Sequence, residues 1–169
     1  MVIRGPLGSG KSTLSLRLSK RVGGVYISID RILEENGLEE WHEGYISERS
    51  FLRANDFAVR LAQPSLRRGI PVVIDGNFYW QRVVEDLLGR LAYPHVVFTL
   101  ELPLSFCIAR DAGRVPSYGR EATKAVFDKT TTFDVGELVD ATGTVDATLG
   151  LLVQELTRRR MLGNLPTTL

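Results

Sequence analysis

The sequence predicts an α/β fold with a mostly parallel β-sheet, and three observations predict it. Short runs of β-branched residues alternate with longer stretches that have helical periodicity. The run Val72-Val73-Ile74 is apolar on both faces, which is typical of a strand covered by helices on both sides. A glycine-rich turn at 5–10 follows the first apolar run and precedes a helix. The expected architecture therefore has three layers, with a sheet between two layers of helices.

The elements follow one another in a regular order. Five segments have the composition of buried strands, at 1–4, 25–29, 72–74, 95–102 and 136–139. The helical segments lie at 11–22, 31–69, 80–91, 103–110, 121–129 and 145–160. We expect breaks at Gly37 and Gly44, and Pro64 should kink or end the helix that begins near Tyr45. Pro103 suits the first turn of the helix at 103–110, and the glycines and proline of 111–119 indicate a loop.

Length and composition describe one ordinary globular domain. The chain has 169 residues, of which 44% are hydrophobic and 24% are charged, so we expect a single domain at 1–160 and a flexible tail at 161–169. With a net charge of only +1, the chain has no large overall positive charge that would attract nucleic acid. No apolar run approaches the roughly 20 residues of a membrane span, and the first strand leaves no room for a signal peptide. We therefore expect a cytoplasmic protein.

Cys107, the single cysteine, lies in an apolar helical run, which favours packing over a nucleophilic role.

The strongest motif is a phosphate-binding loop. The segment Gly5-Pro6-Leu7-Gly8-Ser9-Gly10-Lys11-Ser12, followed by Thr13, matches the pattern G-x-x-x-x-G-K-[ST]. Glycines let the backbone coil around an anion with its N–H groups pointing inward, and the helix that follows adds its positive dipole end. Lys11 is expected to bridge the β- and γ-phosphates of a nucleotide, and the Ser12 hydroxyl is expected to bind Mg²⁺. We predict nucleotide binding by all the residues from Gly5 to Thr13.

Two carboxylates are expected at strand ends, where ligands collect in open parallel sheets. Asp30 ends the second strand and could accept a proton from an attacking hydroxyl; the alternative is a cap for the next helix. Asp75 ends the third strand and could hold Mg²⁺, with Asn77 binding the acceptor or orienting Asp75; the alternative is a turn formed by Asp-Gly and Asn. Arg31 lies beside Asp30 and is a further candidate for acceptor binding.

Arg110 and Arg114 stand four residues apart at the start of the predicted loop. Their guanidinium groups could close over the phosphates as a lid at about 111–119 and offset the charge of the transferring group. The alternative is a solvated helix end.

Two other groups of residues leave their roles open. The first is a set of arginines that could form a basic face for a phosphorylated acceptor or an RNA end, or simply a solvated helix, at Arg49, Arg53, Arg60, Arg67 and Arg68. The second is the aromatic run Phe78-Tyr79-Trp80, which could stack on a base or sugar or pack in the core.

The order of these motifs resembles the small P-loop kinases of the polynucleotide 5′-kinase and zeta toxin group, an AAA_33-type ATP-binding kinase family, over about residues 1–160. The resemblance implies a three-layer P-loop NTPase fold whose five-stranded parallel sheet has the order 2-3-1-4-5, with a small helical lid. It implies that Asp30 is the general base, that Asp75 assists Mg²⁺ or the acceptor, and that Arg110 and Arg114 clamp phosphates. It also places adenine near Arg110. One departure is Leu33, which stands where the phage polynucleotide kinase has an arginine that holds the acceptor.

These inferences predict an ATP- and Mg²⁺-dependent kinase that phosphorylates a hydroxyl of a small molecule. The alternative acceptor is a polynucleotide 5′-hydroxyl, and a second alternative is a regulatory ATPase without an acceptor. Asp140 and Gly143 match the D-x-x-G pattern of GTPases, but they come too late in the chain, and no N-K-x-D motif accompanies them.

Overall fold

The computed structural model describes residues 1–42 and 45–161. Its elements are, in chain order, β1 (Val2–Arg4), α1 (Lys11–Arg21), β2 (Val25–Ser28), α2 (Ile29–Glu35), β3 (Trp41–His42), β4 (Tyr45–Ile46), α3 (Glu48–Arg67), β5 (Val72–Gly76), α4 (Gln81–Leu91), β6 (Val97–Glu101), α5 (Leu104–Ala112), α6 (Arg120–Thr130), β7 (Glu137–Asp140) and α7 (Val145–Arg158).

The main sheet is five-stranded, with the order β2-β5-β1-β6-β7 and parallel pairing throughout. Counted among these five strands alone, the order is 2-3-1-4-5, and the predicted fold class is confirmed. Strands β3 and β4 form a separate antiparallel hairpin that the sequence did not predict.

Two hydrophobic clusters cover the two faces of the sheet. Successive residues of a strand point to opposite faces, so Val2 joins one cluster and Ile3 joins the other. On the side of Val2, the cluster includes residues of α3 and α4, such as Phe51, Ala58 and Leu87. On the side of Ile3, it includes residues of α1 and α7, such as Leu14, Leu18 and Leu152. This arrangement is the three-layer architecture that the sequence predicts.

Two details differ from the sequence prediction. The second strand ends at Ser28, two residues before Asp30, because Ser28 caps the N-terminus of α2 by accepting a hydrogen bond from the Arg31 amide. Asp30 therefore lies in the first turn of a helix. Helix α3 does not end at Pro64 but continues to Arg67. Gly44 lies outside the described residues, as does almost all of the predicted tail.

The loop between β1 and α1 has little space for side chains. Gly8 and Gly10 have φ values of 80° and 88°, a region that favours glycine. A Cβ atom at Gly8 would lie 2.3 Å from the carbonyl oxygen of Cys107, so the loop is pressed against α5. Cys107 is fully buried, which confirms its predicted packing role. Burial raises the pKa of its thiol to about 11, despite the opposing charges of Arg110 and Lys11.

Gly8→Ala is expected to damage both stability and nucleotide binding. Positive φ costs a non-glycine residue about 1–2 kcal/mol, and overpacking against Cys107 adds a further 1–3 kcal/mol or so. Gly37→Ala is the matched control, because Gly37 also has positive φ, at 58°, but nothing lies within 4 Å of its Cβ position. Urea unfolding should show a loss of about 3 kcal/mol for Gly8→Ala and only the strain cost for Gly37→Ala. Equal losses in the two variants would contradict the close packing of the loop on α5.

Candidate functional site

A cavity of about 440 Å³ lies over the N-terminus of α1. Its lining combines the glycine-rich loop, the end of α5 and the β7–α7 connection, and comprises Gly8, Ser9, Gly10, Lys11, Ser12, Thr13, Leu14, Arg110, Arg114, Ala141, Gly143, Thr144, Val145 and Thr148. This size is within the range of small-molecule and cofactor sites. The loop from Gly5 to Ser12 is called the phosphate loop below.

The phosphate loop and the start of α1 have the properties of an anion site. Gly10 precedes the helix, and no side chain caps the first amides of α1, so these N–H groups remain for a ligand. The hydroxyl of Ser9 is buried without a hydrogen-bond partner among the described residues. Lys11 is 6% exposed and lines the cavity. These groups suit the phosphates of a nucleotide, as the sequence predicts.

Lys11 also contacts the first of the two predicted carboxylates. Its Nζ lies 3.6 Å from Oδ2 of Asp30, whose side chain is 33% exposed. The other oxygen, Oδ1, accepts a hydrogen bond from the backbone N–H of Asn77 at 3.1 Å. The side-chain oxygen of Asn77 is buried and has no hydrogen-bond partner among the described residues.

Asp75 lies deeper, between β1 and β2, and is fully buried. The hydroxyl of Tyr26 donates to its two carboxylate oxygens, at 3.2 Å each. Burial raises the pKa of Asp75, and the negative charge of Asp30 raises it further; the charge of Lys11 and hydrogen bonds from Ser12 and Ser28 oppose the shift. A cation bound beside Asp75 would offset this burial cost.

Ser12 and Asp75 suit Mg²⁺ together with a nucleotide. The described residues contain no group of three or more His, Cys, Asp or Glu side chains that could hold a metal ion by themselves. Mg²⁺ is commonly held by one or two protein ligands, water and substrate phosphates. A hydroxyl and a carboxylate beside a phosphate cradle are such a partial set.

The alternative interpretations of the two carboxylates are wrong. Ser28, and not Asp30, caps α2, and Asp75 is part of strand β5, not of a turn. Arg31 is not brought to the other candidates, because its exposed side chain pairs with Glu35 one helical turn later, at 2.7 Å.

Arg110 is not a solvated helix end. Its guanidinium donates to the carbonyl of Ser9 in the phosphate loop at 3.2 Å, and to the carbonyls of Ala141 at 2.9 Å and Gly143 at 3.1 Å. It therefore joins the phosphate loop to the β7–α7 connection across the cavity. Arg114 is half-exposed on the cavity wall, and its guanidinium lies 5.4 Å from the ring centre of Tyr118.

Asp111 is a residue of the site that the sequence analysis missed. One oxygen of this buried carboxylate accepts hydrogen bonds from the Ser117 hydroxyl at 2.7 Å and from the amides of Tyr118 and Gly119 at 3.0 Å each. The other oxygen lies 3.9 Å from Arg114. Although burial opposes the shift, these contacts lower the pKa of Asp111. Asp111 thus fastens the segment at 113–119 that follows α5.

Of the two groups with open roles, the aromatic run is structural. Phe78 and Tyr79 are buried in the core, and Trp80 packs against it. The five arginines from Arg49 to Arg68 are all exposed, and Arg53 pairs with Glu40. Their exposure fits both a solvated helix and a basic face. Within the described residues, no helix is long and apolar enough to cross a membrane.

Several known proteins share this fold. A family model described as an AAA domain matches residues 1–133. A gluconokinase from Sinorhizobium meliloti 1021 has a TM-score of 0.66 at 18% identity, covering 94% of this chain and 95% of that one. A sugar kinase from Janibacter sp. HTCC2649 has a TM-score of 0.72 at 13% identity, covering 96% of each chain. A deoxyadenosine kinase from M. mycoides has a TM-score of 0.55 at 16% identity, covering 94% of this chain and 98% of that one. No curated protein sequence matches the chain.

Asp75→Asn is expected to stabilise the protein at neutral pH. The folded state holds a proton on Asp75 to a higher pH than the unfolded chain, whose carboxyl has the ordinary pKa of 3.8. Ionisation of Asp75 therefore lowers the stability of the folded state once the pH rises above 3.8, and this loss persists at neutral pH. Thermal unfolding should show the variant melting a few degrees above the wild type at about pH 7, with a smaller difference at about pH 4. A variant that melts lower at pH 7 would contradict this account of Asp75.

Asp111→Ala is expected to release the segment at 113–119. The loss of its hydrogen bonds should lower the free energy of unfolding by about 2–3 kcal/mol. Since the folded pKa is lowered, this contribution is present at neutral pH and is lost only in strong acid. Limited proteolysis should cleave the segment faster, and calorimetry should show weaker ATP binding. Asp128→Ala, which removes an exposed carboxylate paired with Lys124, is the control and should change neither.

Proposed function

This chain belongs to the AAA_33 family of AAA domains, and from that membership we propose that it is an ATP-dependent kinase that phosphorylates a hydroxyl group of a small molecule. The observation that carries the proposal is the position of Lys11, which lines the nucleotide cavity and also pairs with Asp30. A partly exposed carboxylate thus lies beside the ammonium group that is expected to bind the γ-phosphate. The fold likeness to a gluconokinase, a sugar kinase and a deoxyadenosine kinase supports the same class of reaction.

Each group has a role that its position supports. The phosphate-loop amides and Lys11 hold the phosphates of ATP, and Arg110 and Arg114 close the cavity and balance the charge of the transferring group. Asp30 accepts the proton of the acceptor hydroxyl, whose oxygen bonds to the γ-phosphorus as the bond to ADP breaks. Mg²⁺, held by Ser12 with Asp75 nearby, would supply charge neutralisation at the phosphates. Asn77 anchors Asp30 through its backbone amide.

The remaining candidate functions have weaker support. A polynucleotide acceptor would favour a basic surface beside Asp30, and among the exposed arginines at 49–68, Arg53 is already paired with the carboxylate of Glu40. A regulatory ATPase needs no carboxylate held beside Lys11.

The test is transfer of the labelled γ-phosphate from ATP and Mg²⁺ to pools of sugars, aldonates, nucleosides, amino alcohols and 5′-hydroxyl RNA or DNA. Asp30→Asn should lower kcat about 100-fold or more, with the KM for ATP little changed, because it removes the base and not the phosphate contacts. Lys11→Met should weaken ATP binding itself. Glu35→Gln removes an exposed carboxylate from the same helix and should leave transfer unchanged.

Two results would contradict the proposal. Labelling of no pool, together with basal hydrolysis that Asp30→Asn leaves intact, would favour a regulatory ATPase. Labelling of nucleic acid ends alone would replace the small-molecule acceptor with a polynucleotide.

A further inference from the structure

Tyr26 is a half-buried polar residue of the site that has no role in the proposed function so far. It lies in β2, two residues before Ser28, so the two side chains point to the same face of the sheet. In the sheet Tyr26 is aligned with Val73, which belongs to the hydrophobic cluster on the side of α1. Tyr26 and Ser28 therefore face α1, whose second residue is Ser12.

The hydroxyl of Tyr26 spans the carboxylate of Asp75. It lies 3.2 Å from Oδ1 and 3.2 Å from Oδ2, so its one proton is shared between the two oxygens. Asp75 is aligned with Ser28 on the neighbouring strand. The hydrogen bond from Tyr26 thus holds a fully buried carboxylate against β2, at the end of the strand pair that lies beside the start of α1.

The same hydroxyl also interacts with Ser12. Burial raises the pKa of Tyr26 and the charge of Asp75 raises it further, whereas hydrogen bonds from Ser28 and Ser12 oppose the shift. Ser12 and Ser28 also form hydrogen bonds with Asp75. Ser12, Tyr26 and Asp75 therefore form one group of hydrogen-bonding side chains, which come from α1, β2 and β5. Two members of this group are the residues that suit Mg²⁺, and Tyr26 contacts both.

A neutral donor suits this position better than a charged one. The other charged groups that act on Asp75 are Lys11 and Asp30. A second ammonium group in place of Tyr26 would also hold the carboxylate, but it would repel a divalent cation. A phenol donates a hydrogen bond without adding charge at neutral pH. Tyr26 can therefore hold Asp75 while the site stays attractive to a cation.

We propose that Tyr26 is a positioning residue for Mg²⁺, whose hydroxyl holds the Asp75 carboxylate and the Ser12 hydroxyl in the arrangement that binds the cation with the phosphates of ATP. This inference rests on the nucleotide and Mg²⁺ binding of the proposed function, and it does not depend on the acceptor. Tyr26 acts through the other two residues and does not touch the reacting atoms. Loss of its hydroxyl should weaken binding of the cation and leave the contacts of the phosphate loop with ATP intact.

Binding of Mn²⁺, used as a paramagnetic probe in place of Mg²⁺, tests this role without turnover. Mn²⁺ is titrated into the protein saturated with the non-hydrolysable analogue AMP-PNP, and its resonance signal reports the bound fraction. Tyr26→Phe should raise the Kd of Mn²⁺ for this complex about tenfold or more, while the Kd of AMP-PNP in EDTA stays the same. Tyr93→Phe is the control and should change neither constant, because Tyr93 lies between α4 and β6 at the amino-terminal ends of the strands.

A double-mutant cycle shows whether Tyr26 acts through Asp75. In the Asp75→Asn background, Tyr26→Phe should weaken Mn²⁺ binding much less than it does in the wild type, because the carboxylate that it positions is gone. A purely structural hydroxyl would lower the melting temperature in both backgrounds without changing the Kd of Mn²⁺.

The wild type supplies a second readout if Tyr26→Phe is poorly folded. Incorporation of 3-fluorotyrosine gives a fluorine resonance for each of the five tyrosines. Substitution of the other four by Phe assigns their resonances and leaves that of Tyr26. The Tyr26 resonance should shift when Mg²⁺ is added to the AMP-PNP complex, and Mn²⁺ should broaden it more than the resonance of Tyr93.

Two outcomes would overturn the inference. The first is an unchanged Kd of Mn²⁺ in folded Tyr26→Phe, or a Tyr26 resonance that does not respond to Mg²⁺. The second is an equal loss of Mn²⁺ affinity with and without Asp75. A wild type that binds no Mn²⁺ with AMP-PNP would overturn this inference and the role of Mg²⁺ in the proposed function together. Failure of the kinase proposal alone is distinguishable, since phosphate transfer to every pool would be absent while Mn²⁺ binding still depends on Tyr26.

Discussion

The site depends on how one ammonium group, that of Lys11, is neutralised. A nearly buried cation is costly without a counter-charge, and two carboxylates supply it, Asp30 in the first turn of α2 and Asp75 in β5. Strand β5 lies between β1 and β2, so the residues at the carboxyl ends of all three meet around the start of α1. Asp30 lies 3.6 Å from Lys11, and the charge of Lys11 is felt at the buried Asp75. The same ammonium group lines the phosphate cavity. One side chain therefore pairs with a carboxylate of the protein and is also placed to bind a polyphosphate.

A second buried cation connects the strand before the phosphate loop to the end of α6. Arg4 ends β1, is fully buried, and directly precedes Gly5. Its guanidinium donates to the backbone carbonyls of Thr130, at 2.5 Å, and Phe133, at 3.1 Å, and stacks on the Phe133 ring at 4.1 Å. Burial lowers the pKa of Arg4 to about 10, with Asp134 opposing the shift, so the group remains charged at neutral pH. Arg4 therefore ties the end of α6 to the strand from which the phosphate loop begins.

The sequence predicts the phosphate-binding part of the site well, because the residues of that part are close together in the sequence. The glycine pattern and the strand–helix order specify the loop and the direction of Lys11, and the ends of buried strands reveal Asp75. Asn77 was expected to bind the acceptor or orient Asp75, whereas its backbone amide holds Asp30, which lies in the first turn of α2. The parts that were missed depend on tertiary contacts. The carboxylate of Asp111 reaches amides up to eight residues ahead only after the segment at 113–119 folds back, and no periodicity encodes that. Arg31 was misplaced because a helical i,i+4 pair with Glu35 competes for its side chain.

The difference between local motifs and tertiary contacts also limits what similarity of fold can say about the acceptor. A structure that is 13% identical can share the sheet and its order with a TM-score of 0.72, because these follow from strand pairing and the phosphate loop. The hairpin, the aromatic residues after β5 and the end of α6 are instead held together by ring contacts and by Lys129. Such contacts can change with single substitutions while the sheet stays the same. Fold likeness at this level of identity therefore shows the sheet and its order, and it does not show which acceptor a protein takes.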